Sequence, residues 1–267
     1  MNQIPLFGLK IEDTTLADAS ARIINDAKSG VRRNIYFVNA HCINIAAVNG
    51  DYLSVLQDGS TLYADGSGMR LAAKLAGFSL QDNVNGTDLF SIICHDAAAD
   101  GVKLALLGAR PGIAEHCAEN MKTQFPKLDI VWVHDGYFKQ DNEGAIIDAI
   151  NHSGAEILFV AMGVPMQELW IARNVNTLRV PVLLGVGALF DFYSGIMPRA
   201  PYWLRQLGLE WLFRYLMEPR RMFKRYIVGN PLFIIRTLLR RLKGQRDLQE
   251  TPLMVNMKQS KRDNSIS

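Results

Sequence analysis

The sequence predicts an α/β fold, a parallel sheet with helices on both faces, followed by a helical basic C-terminal appendage. Three observations carry this. Short apolar runs rich in β-branched and aromatic residues alternate with helix-period segments over the first ~190 residues. These runs are apolar throughout rather than at every second position, the pattern of strands covered on both sides. Basic charge also collects at one end. Residues 196–246 hold twelve Lys or Arg against two acids, a net +10, while the rest of the chain sums to −7.

The elements follow in order. A helix over 16–28, capped by Asp13 or Thr14, precedes the first core strand. Strands are expected at 35–39, 61–64, 102–107, 129–133, 157–162 and 182–186, and helices at 88–99, 113–125, 144–153 and 166–177. With right-handed crossovers this alternation gives a Rossmann-like sheet. Residues 1–195 form that body, 196–244 the basic appendage, and 245–267 turn polar and read as a disordered tail. No run reaches the ~18 consecutive apolar residues of a membrane span. No secretory signal opens the chain, and Cys42, Cys94 and Cys117 form no C-x-x-C pair. A reduced, cytoplasmic setting is expected.

Parallel sheets of this kind bind ligands beyond the C-terminal ends of their strands. The residues just after the predicted strands are rich in Gly, Asp, Asn, His and Gln. Ala64-Asp65-Gly66-Ser67-Gly68 puts a carboxylate before a flexible turn, where Asp65 suits a general base or, equally, a helix cap. Gly108-Ala109-Arg110-Pro111-Gly112 opens a helix whose N–H groups could hold a diphosphate, although an ordinary strand–helix turn reads the same way. Gly163-Val164-Pro165-Met166-Gln167-Glu168 also joins a strand to a helix. There Gln167 suits hydrogen bonding to a base or sugar hydroxyl, and Glu168 either assists or complements the helix dipole. Residues 187–191, ending in Asp191, close the last strand. His41 and His134 lie at strand ends and are alternative bases. No grouping has zinc spacing, and no Asp-x-Asp is placed to hold a cation against a nucleotide, so no metal is expected.

In the appendage, Trp203, Leu204, Leu207, Trp211, Leu212, Tyr215 and Leu216 recur at helical spacing among Arg205 and Arg214. Arg220, Arg221, Lys224 and Arg225 then mix with Met222, Phe223, Tyr226 and Ile227. Basic and apolar residues so interleaved suit a helix lying in the face of an anionic membrane. A solvated cap on the body and a nucleic-acid surface are the competing readings. The segment's apolar content favours the membrane.

Read in order, these pieces resemble the WecG/TagA/CpsF family of bacterial glycosyltransferases, glycosyltransferase family 26. The matching motifs are Val38-Asn39-Ala40, Ala64-Asp65-Gly66-Ser67-Gly68, Val84-Asn85-Gly86-Thr87-Asp88-Leu89, Leu106-Leu107-Gly108 and His134-Asp135-Gly136-Tyr137-Phe138. They continue with the run from Met162 to Trp170, Gly185-Val186-Gly187-Ala188-Leu189-Phe190-Asp191, Arg199-Ala200-Pro201, Gly208-Leu209-Glu210-Trp211, Arg214 and Glu218-Pro219-Arg220-Arg221. The resemblance spans about residues 35 to 226 in correct order.

It implies a metal-independent, inverting transfer from a UDP-sugar to a polyprenyl-diphosphate-linked sugar in surface or exopolysaccharide assembly, with no cofactor. Asp65 would be the catalytic base, and Asn39 and Gln167 would line its pocket. Arg214 and Arg221 of a membrane-binding appendage would hold the diphosphate. Gly108, Gly163, Glu168, Asp191 and Arg199 complete the implied binding set. An anionic inner membrane face joins the two substrates as a partner, nucleic acid does not, and a homo-oligomer is admitted. Phe37, Asn83 and Met166 stand where relatives often carry Thr, Arg and Lys, so the sugar is open. A nicotinamide-dependent oxidoreductase would need a glycine fingerprint that is absent. A non-catalytic basic module on a Rossmann-like body would leave the polar strand ends without a purpose.

Overall fold

A computed structural model describes residues 2–250 of the chain. Its centre is an eight-stranded sheet ordered β1-β2-β4-β3-β8-β7-β5-β6. The strands are β1 (Asn2–Leu6), β2 (Leu9–Asp13), β3 (Arg33–Val38), β4 (Thr61–Ala64), β5 (Lys103–Gly108), β6 (Asp129–His134), β7 (Ile157–Ala161) and β8 (Val182–Gly185). All pair in parallel except β1 with β2. The fully apolar strands are explained by burial on both sides. Tyr36, Val38, Ala105, Leu107, Leu158 and Val160 feed one core. Their sequence neighbours Ile35, Phe37, Leu104, Leu106, Ile157 and Phe159 feed the other.

Around the sheet lie α1 (Leu16–Lys28), α2 (Ala40–Ala46), α3 (Gly50–Gln57), α4 (Ser67–Leu75), α5 (Gly86–Asp100), α6 (Ile113–Gln124), α7 (Glu143–Ser153), α8 (Met166–Asn174) and α9 (Leu189–Tyr193). The expected strands and helices are all present within a few residues. The cap of α1 is Thr15, whose hydroxyl accepts from the Asp18 amide. Asp13, one of the two expected caps, instead accepts from the Gln81 amide at 2.8 Å. The β1–β2 hairpin was not expected. Its signal is the apolar alternation Ile4, Leu6, Leu9, Ile11 around Phe7-Gly8, both residues of which have positive φ. A two-residue turn of that hand matches the twist of paired strands.

The arm comprises α10 (Tyr202–Gln206), α11 (Glu210–Met217), α12 (Pro219–Met222), a π-helical segment at Phe223–Val228, α13 (Gly229–Lys243) and α14 (Gln245–Glu250). Its attachment to the body is specific. Phe233 of α13 is 1% exposed and enters the first core, where its ring meets Phe7 at 5.8 Å. Residues 245–250, expected to begin a disordered tail, form α14 instead. Leu248 is fully buried, and its carbonyl accepts from the Phe7 amide at 2.8 Å. One buried leucine and a backbone pairing outweigh the polar composition that suggested disorder. The rest of that expected tail, 251–267, lies outside the described residues. Among the described residues no helix is long and apolar enough to cross a membrane.

Gly108, at the end of β5, has a packing role. It adopts φ +136°, and a Cβ there would stand 2.4 Å from the Ala161 carbonyl oxygen of the neighbouring β7. The G108A variant is expected to lose about 2 kcal/mol or more from strain and overpacking together. The check is a fall in urea midpoint at unchanged m-value.

Candidate active site

Strand order decides which strand ends meet. The sequence β4-β3-β8-β7 brings four C-terminal ends side by side, carrying Asp65, Asn39, Gly187 and Gly163. They floor a cleft of about 950 Å³. The arm roofs it with Arg205, Glu210, Trp211, Arg214, Arg221 and Arg225. Of the residues singled out from sequence, the cleft unites Asn39, His41, Asp65, Gly163, Gln167, Arg214 and Arg221.

Six others lie elsewhere, each for a physical reason. Gly108 and His134 end β5 and β6, which follow β7 outward in the sheet, away from β3 and β4. His134 stacks on Trp132 at 5.7 Å, and its Nδ1 lies 2.8 Å from the Asp135 carbonyl. Arg110, in the same turn as Gly108, is exposed and does not line the cleft. Asp191 is buried on α9, whose cleft-facing positions are Ala188, Leu189 and Phe192. Arg199 is held by Asp88 at 2.6 Å and Glu210 at 3.7 Å. Glu168 is 1% exposed beneath the floor and cannot touch a ligand there.

Asp65 and Asn39 form the polar centre. The Asn39 Oδ1 caps α2 by accepting from the His41 and Cys42 amides at 3.1 and 3.2 Å. With the oxygen so fixed, Nδ2 points to Asp65 Oδ2 and donates at 3.2 Å. An asparagine is the residue that can cap with one atom and donate with the other; aspartate would repel Asp65. The capping alternative for Asp65 falls away, because α4 starts on Gly66 without a side-chain cap. Burial raises the Asp65 pKa, offset in part by the Asn39 bond and by Arg225 and Arg214. His41 moves the other way, down to about 4, because burial and then Arg225 disfavour its charged form. Within this cleft Asp65 is therefore the stronger candidate base, and His41 stays neutral near pH 7.

Across from Asp65 the cations are short of partners. Among the described residues, neither the Arg214 Nε nor the Arg225 Nε has a hydrogen-bond partner, although both are buried. Arg214 stacks on Phe192 at 5.3 Å and Arg225 on Tyr226 at 5.4 Å. Arg221 is paired with Glu218 at 3.0 Å. Burial lowers the Arg214 pKa most; Arg225 and Arg221 push it the same way, while Tyr226 and Glu218 oppose them. Arginines with buried, unpaired Nε atoms and like-charged neighbours suit an anion placed between them. Arg225 was not among the residues singled out for the site, yet its i, i+4 spacing from Arg221 would have placed both on one helical face.

The turn after β4 is tied to the arm through a polar chain. The Gly66 amide donates to Asn83 Oδ1 at 2.8 Å. Asn85 caps α5 by accepting from the Asp88 amide at 2.8 Å, and its Nδ2 donates to Asp88 Oδ2 at 2.6 Å. The other Asp88 oxygen meets Arg199 and, at 3.6 Å, Arg205. Asn83 and Asn85 line the cleft too; their missed signal was two asparagines just ahead of a helix start.

A parallel sheet with a carboxylate on one side of its strand-end cleft and unsatisfied arginines on the other has the layout of an enzyme site suited to an anionic ligand. The chain matches the model of the Glycosyl transferase WecG/TagA/CpsF family over residues 4–247 and belongs to that family, so it is a glycosyltransferase. A Staphylococcus aureus (strain MW2) protein named N-acetylglucosaminyldiphosphoundecaprenol N-acetyl-beta-D-mannosaminyltransferase is 26% identical over 234 residues, 87% of this chain and 91% of that one. A protein of the same name from Bacillus spizizenii is 33% identical over 176 residues, 66% of this chain and 68% of that one.

Proposed function

We propose that this glycosyltransferase moves a sugar from a UDP-sugar onto a sugar linked to polyprenyl diphosphate, at the cytoplasmic face of a bacterial membrane, for surface polysaccharide assembly. The observation that carries the reading is the joint cleft: a base from the body faces arginines from the arm, and the outer side of that arm is apolar. Trp203, Leu207, Leu216 and Leu242 are 60%, 66%, 68% and 83% exposed, next to exposed Arg220, Arg221 and Lys224. Such a surface fits an acyl boundary rimmed by anionic headgroups. The names of the two relatives supply the acceptor type, a diphosphate-linked N-acetylglucosamine, and one sugar to try first.

In this mechanism Asp65 takes the proton from an acceptor hydroxyl as the oxygen attacks the anomeric carbon. The bond from that carbon to the UDP oxygen breaks on the opposite face, inverting the centre. Arg214 and Arg225, with Arg221, balance the charge arriving on the diphosphate without a metal ion. Asn39 keeps the Asp65 carboxylate aimed throughout.

The test combines purified protein, undecaprenyl-diphosphate N-acetylglucosamine in vesicles and a panel of UDP-sugars beginning with UDP-N-acetylmannosamine. Sugar transfer is expected, faster on vesicles with anionic lipid than on neutral ones. Binding to the anionic vesicles without transfer from any UDP-sugar would sink the reading and favour a recruiting module.

A further inference from the structure

Glu168 is a buried titratable group that this chemistry does not use. The cleft-lining side chain beside it, Gln167, is itself only 2% exposed and is fully engaged on one side. Its Oε1 accepts from the Gly163 amide at 3.1 Å and the Gly187 amide at 2.8 Å. Those two donors sit in different loops, after β7 and after β8. An amide oxygen with both lone pairs occupied has one allowed flip, which turns its NH₂ the other way, toward a place that needs an acceptor. Glu168 Oε1 is that acceptor, at 2.9 Å. Space for the amide comes from Gly185, where a Cβ would stand 3.1 Å from Gln167 Nε2.

We infer that Glu168 is a positioning residue: it holds the Gln167 amide in the orientation that ties the β7 and β8 loops together, and so shapes the floor on which the donor sits. The inference rests on reading the cleft as a nucleotide-sugar site. Two features separate this role from plain core packing. Among the described residues the second oxygen of Glu168, Oε2, has no hydrogen-bond partner, and the side chain that the carboxyl engages is Gln167. Burial lifts its pKa to about 7, against the opposing Gln167 bond. A proton on Oε2 would leave Oε1 free to accept, so the tie survives in either state.

A residue swap tests this. E168Q keeps an acceptor oxygen and should behave as the original protein does. E168M strands a buried donor, and Q167E sets two carboxyls face to face. Each is expected to raise the KM for the UDP-sugar at least about tenfold with a smaller change in kcat, the size expected for one buried polar group left unpaired. Residue-resolved amide exchange should show Gly163 and Gly187 losing protection by a similar factor in both. The double variant Q167E/E168Q restores one donor facing one acceptor, so KM and protection should return toward their original values. Original KM and protection in E168M would overturn the inference, and so would a double variant no better than Q167E. The swap keeps the test decisive if E168M fails to fold. Failure of the unaltered protein to bind UDP would sink the donor assignment instead, while the exchange measurement, which needs no ligand, still decides the tie.

Discussion

Asp65→Asn is expected to reduce sugar transfer by ~10²–10⁴-fold, the range for loss of a general base, while the protein stays folded and still binds UDP. The substitution is nearly isosteric. The Asp65 backbone amide would still donate to the Val38 carbonyl at 2.9 Å, and Asn39 could still donate to the new amide oxygen. What disappears is a site able to accept a proton. The pH dependence gives a second reading of the same group. A base must be ionised to work, so kcat/KM should fall as pH drops through the Asp65 pKa. Burial raises that pKa, so the fall should begin above the ordinary aspartate value of about 3.9. In Asp65→Asn the residual rate should lose that acid limb. Near-normal turnover, or an unchanged limb, would transfer the role to another group in the cleft.

Arg214→Ala and Arg225→Ala form the second large prediction, and its value lies in two measurements that move in opposite directions. Each variant should lower kcat/KM by ~10²–10³-fold, as removal of one preorganised donor to a leaving group does. Each should leave the melting temperature of the ligand-free protein unchanged or higher. The physical reason is that the Nε atoms of both are buried and unpaired among the described residues, and that the charge of Arg225 disfavours the charged form of Arg214. A site strained in this way trades stability for function. Arg214→Lys should recover part of the rate only, because an ammonium supplies the charge without the planar fork. A variant that lost stability and activity together would instead mark the arginine as a structural strut.

Much of this site was legible before any coordinates, and the parts that were not have identifiable causes. The strand ends could be read because both faces of the sheet are covered, which turns each strand into a continuous apolar run that stops abruptly at Asn39 or Asp65. Lateral strand order leaves no such local mark. Gly108 and His134 therefore looked equivalent to Gly163, although β5 and β6 carry them away from the cleft. Gln167 and Glu168 sit on one turn, and composition alone could not tell which lines the cleft; the amides of Gly163 and Gly187 hold Gln167 there. Arg225 was hidden by company, one cation in a basic stretch that reads equally well as a solvated face. The N-terminal hairpin carried an apolar alternation that went unread, whereas the last short helix has a polar composition and is fixed by backbone bonds to the hairpin tip.

That last pairing has a consequence for how the enzyme comes into being. The Phe7 amide meets the Leu248 carbonyl, a contact spanning nearly the whole described chain. Synthesis proceeds from the N-terminus, and segments of a large protein fold in the order they emerge. The carboxylate of Asp65 can thus be set in its sheet while the arginines that face it are still being added. Closure of so long a loop comes late. A nascent chain thus presents the Asp65 carboxylate before the arginines that face it, and the contact between α14 and the hairpin tip can form only after both have emerged.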